Sequence, residues 1–406
     1  MAIAGKRATV RDAGRQDADH GAARGGERVR TVSGTSSLIF AVDAADAPLA
    51  AWNRLADRAI EPNPFFRPEF LRPLAARLDR REIRVVAIRR EADGSFLALA
   101  PFSRRRVGLL TPAAVAHAGD YGPLGTPLFA PEADAETAAR LCAAAAEALG
   151  TGLVAFPYLR TDGPVAALLS GMAATRDGNG PRLALCGARL RAGHATGIEG
   201  AAQQRAVSRH RVKELDRQMR RLADLGAVSA TRADTVETLP DAIEAFLELE
   251  AAGWKGRAGT ALVADPGRAA FARDFLEASA RAGRLRIDAL RLDGRPVAMM
   301  AVLRDGARAW SWKIAFDEDH GRLSPGSQIA RIAMRHTLAS DGIVDADSLA
   351  IPGHSMIEPL WPGRVAYATG LVAGGRFADL RLWLGGADLA LEHRARAVVK
   401  ALLRRR

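Results

Sequence analysis

Gly283-Arg-Leu-Arg-Ile-Asp-Ala-Leu-Arg-Leu-Asp-Gly294 runs into Arg295-Pro-Val-Ala-Met-Met-Ala-Val-Leu-Arg-Asp-Gly306, and that into Ala307-Arg-Ala-Trp-Ser-Trp-Lys-Ile-Ala-Phe316. Asp293-Gly294 and Asp305-Gly306 separate three apolar runs. Asp-Gly supplies the positive backbone angles that a tight hairpin demands, so the stretch predicts an antiparallel meander with strands over 284–292, 296–303 and 308–316. Downstream, a polar segment over 318–323 leads to Ser324-Pro-Gly-Ser327, and Ile329, Ile332 and Ala333 continue as a helix to about 339. Proline is pre-organised for a first helical turn. A strand follows over 343–349. Gly and small hydroxyls at a helix N-terminus leave backbone N–H groups free, and the helix dipole adds positive charge, so a pyrophosphate could sit there with Arg322 beside it. Ser-Pro is equally an ordinary helix start.

Working upstream, Val212, Leu215, Met219 and Leu222 recur at helical spacing and predict one helix over 205–225, stopped by Gly226. A strand over 228–232 and helices over 239–252 and 266–282 bring the chain back to the meander. Earlier still, the ordered chain begins over 38–42, and strands over 83–89, 96–107 and 153–159 mix with helices over 49–60, 68–78 and 135–149. That order is an α/β unit of about 150 residues. Residues 1–36 are polar and Gly-rich and read as a disordered tail. The expected organisation is tail 1–36, domains over 37–195 and 196–375, and a basic helical segment over 376–406.

The 406 residues are 48% hydrophobic and 26% charged, which excludes a mainly disordered chain. The formal charge is +12, almost all of it arginine, with lysine only at 6, 213, 255, 313 and 400. That bias reads as GC-rich coding and a solvated basic surface. Over 205–221, Glu214 and Asp216 interrupt the charge and aromatics are absent, which argues against nucleic acid. Cys142 and Cys186 alone make no disulfide framework or cysteine zinc site, and no His-Glu-x-x-His occurs, so no metal is expected. No apolar run reaches a membrane span and no secretory signal is visible, so a cytoplasmic location is expected.

Taken in order, Ser208-Arg-His-Arg-Val-Lys213, Leu247-Glu-Leu-Glu-Ala-Ala-Gly-Trp-Lys255, the meander, Ser324-Pro-Gly326 and Asp345-Ala-Asp347 give the segment 208–361 a likeness. It resembles the GNAT-like acyltransferases of the CelD-like (BioF2-like) family associated with cellulose and exopolysaccharide biosynthesis. More distantly it is similar to Fem-type aminoacyltransferases, which pair two such domains. The resemblance implies an α/β (α+β) fold of two GNAT-like domains, each a twisted mixed sheet flanked by helices, with residues 37–195 as a degenerate first copy. It implies acetyl-CoA, or another acyl-CoA, as cosubstrate at Arg322, Ser324, Gly326, Ser327 and Gln328. It implies acyl transfer to an amine or hydroxyl of a sugar or cell-envelope precursor. The loop departs from the family pattern, because Pro325 stands where its first Gly is usual.

Acyl transfer needs a base for the acceptor proton and donors for the oxyanion. Asp347, His354 and Glu358 follow the strand after the helix, where α/β sheets place ligands. Asp347 could instead cap a turn, and His354 could be an ordinary loop residue. Trp254, Lys255, Lys313 and Trp361 are the acceptor-binding candidates, with a core Trp and a surface Lys as the plain alternative. Strand alternation would put Trp312 and Lys313 on opposite faces. His336 reads as a core histidine. Two other functions stay open: aminoacyl transfer from a charged tRNA, and a non-catalytic scaffold that partners polysaccharide-synthesis proteins.

Overall fold

The chain builds one succession of elements twice. The computed structural model describes residues 31–403, apart from 33, 80 and 175–179. In the first copy a short β1 (Thr31–Val32) and β2 (Thr35–Ala41) precede α1 (Leu49–Asp57) and α2 (Pro68–Arg77). The meander β3 (Arg84–Arg90), β4 (Phe96–Val107) and β5 (Thr111–Ala116) follows, with a two-residue β6 (Leu128–Phe129) on β4. Then come α3 (Ala135–Ala148), β7 (Val154–Arg160), α4 (Pro164–Ser170) and the long β8 (Arg182–Ala195).

The second copy is introduced by α5 (Gly197–Ala206) and α6 (Arg209–Ala223). It runs through β9 (Val228–Ala233), α7 (Leu239–Ala252), α8 (Trp254–Arg257) and α9 (Pro266–Arg281). The meander β10 (Leu285–Leu292), β11 (Arg295–Asp305) and β12 (Arg308–Phe316) leads to α10 (Pro325–Leu338), β13 (Asp345–Asp347) and β14 (Gly363–Ala373), and α11 (Ala378–Leu403) closes the chain. In each copy the strand after the long helix runs parallel to the last meander strand: β7 beside β5, β13 beside β12.

All these strands join one sheet, whose centre reads β5-β7-β14-β8-β13-β12. The copies therefore trade a strand. β8 leaves the first copy to pair with β13, and β14 leaves the second to pair with β7. β8 and β14 also pair antiparallel with each other along most of their length. The copies share a core as well: the Phe70 ring of α2 meets Phe271 and Phe275 of α9 edge-on at 5.6 and 5.0 Å.

The second meander is where sequence and structure agree best. Asp293 and Gly294 both take positive φ, 49° and 76°, as a primed turn requires. Along β11, Met299, Ala301 and Leu303 face the core under α7 and α9, while Ala298, Met300 and Val302 face the one under α10. Corrections lie elsewhere. The expected helix over 205–225 is two helices, because Val207 is extended and breaks the run. The strand expected over 343–349 shortens to β13, since Leu349 adopts a left-handed φ of 53°. The tail expected over 1–36 ends sooner, with Thr35 and Ser36 paired in register to Arg90 and Arg89; residues 1–30 lie outside the described ones.

Candidate active site

Two long helices point their N-termini into one cleft of about 620 Å³. Ser208 and Arg211 come from the start of α6, and Ser324, Pro325, Gly326 and Ser327 from the start of α10. Phe316 at the end of β12 and the loop residues Ser355, Met356 and Pro359 form the other walls. The helices are fastened by polar contacts. Gln328 Nε2 donates to the Leu215 carbonyl at 2.6 Å, and Arg331 Nη1 pairs with Asp216 at 2.6 Å. Leu215 and Leu222 of the predicted seam are buried against Ile329 and its neighbours.

Ser324 holds a left-handed conformation, φ 52° and ψ 49°. Its carbonyl accepts from the N–H groups of both Ser327 and Gln328 at 3.0 Å, and Pro325 has no N–H. Of the predicted row of donors, Gly326 alone keeps a free N–H. The anion-binding capacity comes from elsewhere. Arg211 Nη2 donates to the Ser327 hydroxyl at 2.9 Å, while its buried Nε has no partner. Two positive helix ends and an under-used guanidinium converge on one wall, and the rest of the cleft is largely apolar. That combination suits a ligand with an anionic end and an apolar arm.

The expected donor residues divide. Ser324, Gly326 and Ser327 line the cleft; Arg322 and Gln328 do not. Arg322 is exposed on the short turn before α10, and Gln328 is fully buried as a strut to α6. Arg211 went unassigned in the sequence, because nothing local announces that the start of α6 packs beside the start of α10. Its signal was the basic run Arg209-His-Arg211 at a helix start.

The base candidates also separate. Asp347 is buried, its Oδ2 held by Arg191 Nη2 at 2.5 Å and its Oδ1 accepting from the Leu349 N–H. Glu358 accepts from the Gly353 N–H at 2.5 Å and pairs with Arg364 at 3.3 Å, so it braces its own loop. His354 shares that loop with the cleft-lining Ser355. It is half-buried, burial lowers its pKa, and its Nδ1 has no partner.

Among the acceptor candidates, Trp361 belongs to the core: it is buried, donates to the Ala330 carbonyl, and meets His194 edge-on. Lys255, Lys313 and Glu250 form a group under α7. Lys255 Nζ lies 2.8 Å from Glu250 Oε1, and Lys313 Nζ lies 3.9 Å from it. Lys313 also approaches the Tyr121 ring at 5.4 Å, and burial lowers its pKa. Trp254, half-exposed, opens α8. The alternation rule fails at Trp312. Ala301 pairs with Lys313 and Val302 with Ser311, so Trp312 is the extra residue of a bulge. The bulge lets Trp312, which donates to the Tyr121 carbonyl, and Lys313 turn to the same side. His336 is a structural residue, as expected: its ring lies 2.5 Å from Asp288, which also holds the buried Arg286.

His117 and His194 are both buried, and burial pushes each from 6.5 down to about 4. The folded chain therefore binds fewer protons than the unfolded chain between those values. Their contribution is whole above about pH 6.5 and is lost as the pH falls towards 4, at no more than about 1.4 kcal/mol per pH unit for each ring. Urea midpoints should fall over that window, and a His117→Gln, His194→Gln double variant should show a shallower fall. An identical slope in the variant would place the acid sensitivity elsewhere.

Among the described residues, no group of three or more His, Cys, Asp or Glu side chains could hold a metal ion. No helix among them is long and apolar enough to cross a membrane. Residues 209–351 match the sequence model of the acetyltransferase (GNAT) domain family. No curated protein matches the chain. Among solved structures, the chain is similar to the C-terminal domain (DUF2156) of a putative lysylphosphatidylglycerol synthetase from Agrobacterium fabrum, at 16% identity and a TM-score of 0.50, covering 82% of this chain and 94% of that one. It is similar to FemX at 10% identity and a TM-score of 0.53, covering 83% and 98%. A conserved protein of unknown function from Bacteroides thetaiotaomicron aligns at 11% identity and a TM-score of 0.50, covering 81% and 98%. The second copy therefore carries an acetyltransferase (GNAT) domain over residues 209–351, within a chain whose two copies share one mixed sheet flanked by helices.

Proposed function

We propose that the cleft at the starts of α6 and α10 binds an acyl-coenzyme A, with acetyl the simplest acyl group, and that the protein passes the acyl group to an amine or hydroxyl of a sugar or envelope precursor. The observation that carries this reading is Arg211, which lines the cleft and is bound through Nη2 to Ser327 at a helix N-terminus. A pyrophosphate would complete that guanidinium, and the apolar wall of Phe316 and Met356 would take the pantetheine arm. His354 is the base that this reading favours, since a histidine with a lowered pKa is neutral at pH 7 and can accept a proton. The acceptor nitrogen or oxygen forms its bond to the acyl carbon as the thioester C–S bond breaks. His354 takes the acceptor's proton, and the thiolate leaves to be protonated from solvent. Lys255, Lys313 and Trp254 are the acceptor-side groups of this reading.

Isothermal titration of coenzyme A tests it. Wild type should bind, and Arg211→Ala should bind about 10- to 100-fold more weakly, the loss expected for a charged hydrogen bond. His354→Gln should leave binding unchanged and lower the acetylation rate by about 100-fold or more. A second reading, transfer from an aminoacyl-tRNA, draws on the basic turn Arg209-His-Arg211 at the same cleft. Retention of charged tRNA at low salt, without any coenzyme A heat, would favour it.

A further inference from the structure

α11 has two apolar faces, and the fold uses one. Its inner face, with Leu382 and Leu389, packs on β5, β7 and β14. There Gly385 sits so close that a Cβ would lie 2.9 Å from Leu153. On the outer face, Leu380, Trp383, Leu384, Leu391, Val398 and Leu402 are exposed and fall on one side of the helix, at steps of one, three, four or seven residues, over about 33 Å at 1.5 Å per residue. Trp383, at 68% exposed, is the most open of them.

A second apolar element is tied to the same helix. Between β4 and β5 the hairpin tip carries Leu109 and Leu110, the latter 72% exposed. The Asp388 carboxylate accepts the N–H groups of Leu109, Leu110 and Thr111 at 2.9, 2.8 and 2.7 Å, which clamps the tip against α11. Gly108 allows the approach, since a Cβ there would fall 2.5 Å from the Asp388 backbone. Holding two leucines in water on a fixed tip has no use inside this fold.

The unpaired charge around the stripe is positive. Each acidic residue of the helix is taken: Asp379 by Arg182, Asp388 by the hairpin, Glu392 by Arg396. Arg376 and Arg394 stay exposed beside the stripe, and Lys400 and Arg404-Arg-Arg406 follow in the sequence. A cavity of about 560 Å³ opens between α11 and the hairpin, lined by Gly108, Leu389, Glu392 and His393, and the exposed stripe lies outside that lining. Apolar side chains on one line with arginines beside them match a bilayer surface of anionic lipid, whose headgroups attract the cations while its acyl boundary receives Leu and Trp. We propose that α11 and the Leu109–Leu110 tip together dock this protein on the surface of an anionic bilayer.

Flotation of the full chain with vesicles tests this. Phosphatidylcholine vesicles with about one third phosphatidylglycerol should carry the protein up, and pure phosphatidylcholine vesicles should carry much less. Trp383 emission should shift to the blue on binding, a change absent in Trp383→Phe. Trp383→Glu and Leu110→Glu should each cut vesicle partitioning about tenfold or more, and Arg394→Glu should cut it less and leave it more sensitive to salt. Both apolar sites are exposed, and circular dichroism confirms that the variants fold. Three results overturn the proposal. One is no partitioning of wild type into the anionic vesicles. Another is partitioning that Trp383→Glu and Leu110→Glu leave unchanged, which would be charge attraction alone. The third is a dimer in sedimentation equilibrium that Trp383→Glu dissociates, with no vesicle binding, which would assign the stripe to a second copy.

Discussion

Gly326→Val is expected to abolish coenzyme A binding and to lower stability by about 1–3 kcal/mol, the usual cost of overfilling a packed site. The first cause is space. A Cβ at this position would meet Met356 Sδ at 2.4 Å and the Phe316 ring at 3.1 Å. Met356 is a flexible side chain and can yield, but it yields into the cleft, because both neighbours are cleft walls. The second cause is the donor. Gly326 holds the one first-turn N–H of α10 left free by the Ser324 carbonyl, and a branched side chain would cover it. Gly326→Ala separates the two effects, since it adds the smallest possible Cβ and should retain part of the binding. Titration of coenzyme A against both variants, with thermal melts alongside, decides the matter. Wild-type affinity in Gly326→Val would mean that the ligand stays clear of this turn, and the acyl-coenzyme A reading would lose its geometry.

The second large effect concerns the seam between the copies. Asp305→Ala should cost about 3–5 kcal/mol, the penalty of leaving a buried charge without its partner. Arg67, at the start of α2, donates through Nε and Nη2 to both oxygens of Asp305, at the end of β11, at 2.7 and 2.6 Å. Both side chains are 2% exposed. Asp57 still reaches Nη1 at 2.9 Å, yet it is more than half exposed and cannot replace a buried bidentate partner. Urea denaturation of the variant measures the loss. An Arg67→Met, Asp305→Leu pair should recover most of it, because the replacement leaves no charge to desolvate. A loss below about 1 kcal/mol in Asp305→Ala would show that water reaches the guanidinium.

What could be read in the sequence was what neighbouring residues decide. Positive φ falls on Asp293 and Gly294 in the first turn and on Gly306 in the second, where Asp305 still pairs with Arg308, so glycine at each turn made the meander visible. So was the apolar seam of α6, because periodicity is local. β8 was not, since its exposed half, from Arg182 to Leu190, mixes arginine with apolar residues that face solvent. β14 was missed as well: its small residues pair with strands that lie far away in sequence. The site divides in the same manner. Ser324, Gly326 and Ser327, which line the cleft, stood out in the sequence because a helix start has a local signature. Arg211 was not assigned, and Gln328, Asp347 and Trp361 were placed at the site although the fold uses them inside. What each of these does depends on a neighbour from another element: Ser327, Leu215, Arg191 and His194. At Trp312 the bulge shifted the register by one residue, and no rule of alternation foresees that.

The traded strands set a schedule for biosynthesis. When β7 leaves the ribosome, the strand that will lie beside it, β14, is still about 200 residues from being made. At ordinary translation rates that is a wait of roughly 10 to 40 seconds. Throughout it the first half must keep an open strand edge, the kind of surface on which nascent chains stick to one another. A fragment that stops after β13 would hold that edge open permanently. Separate expression of the halves should therefore give insoluble material, and co-expression should rescue it when the second piece brings β14.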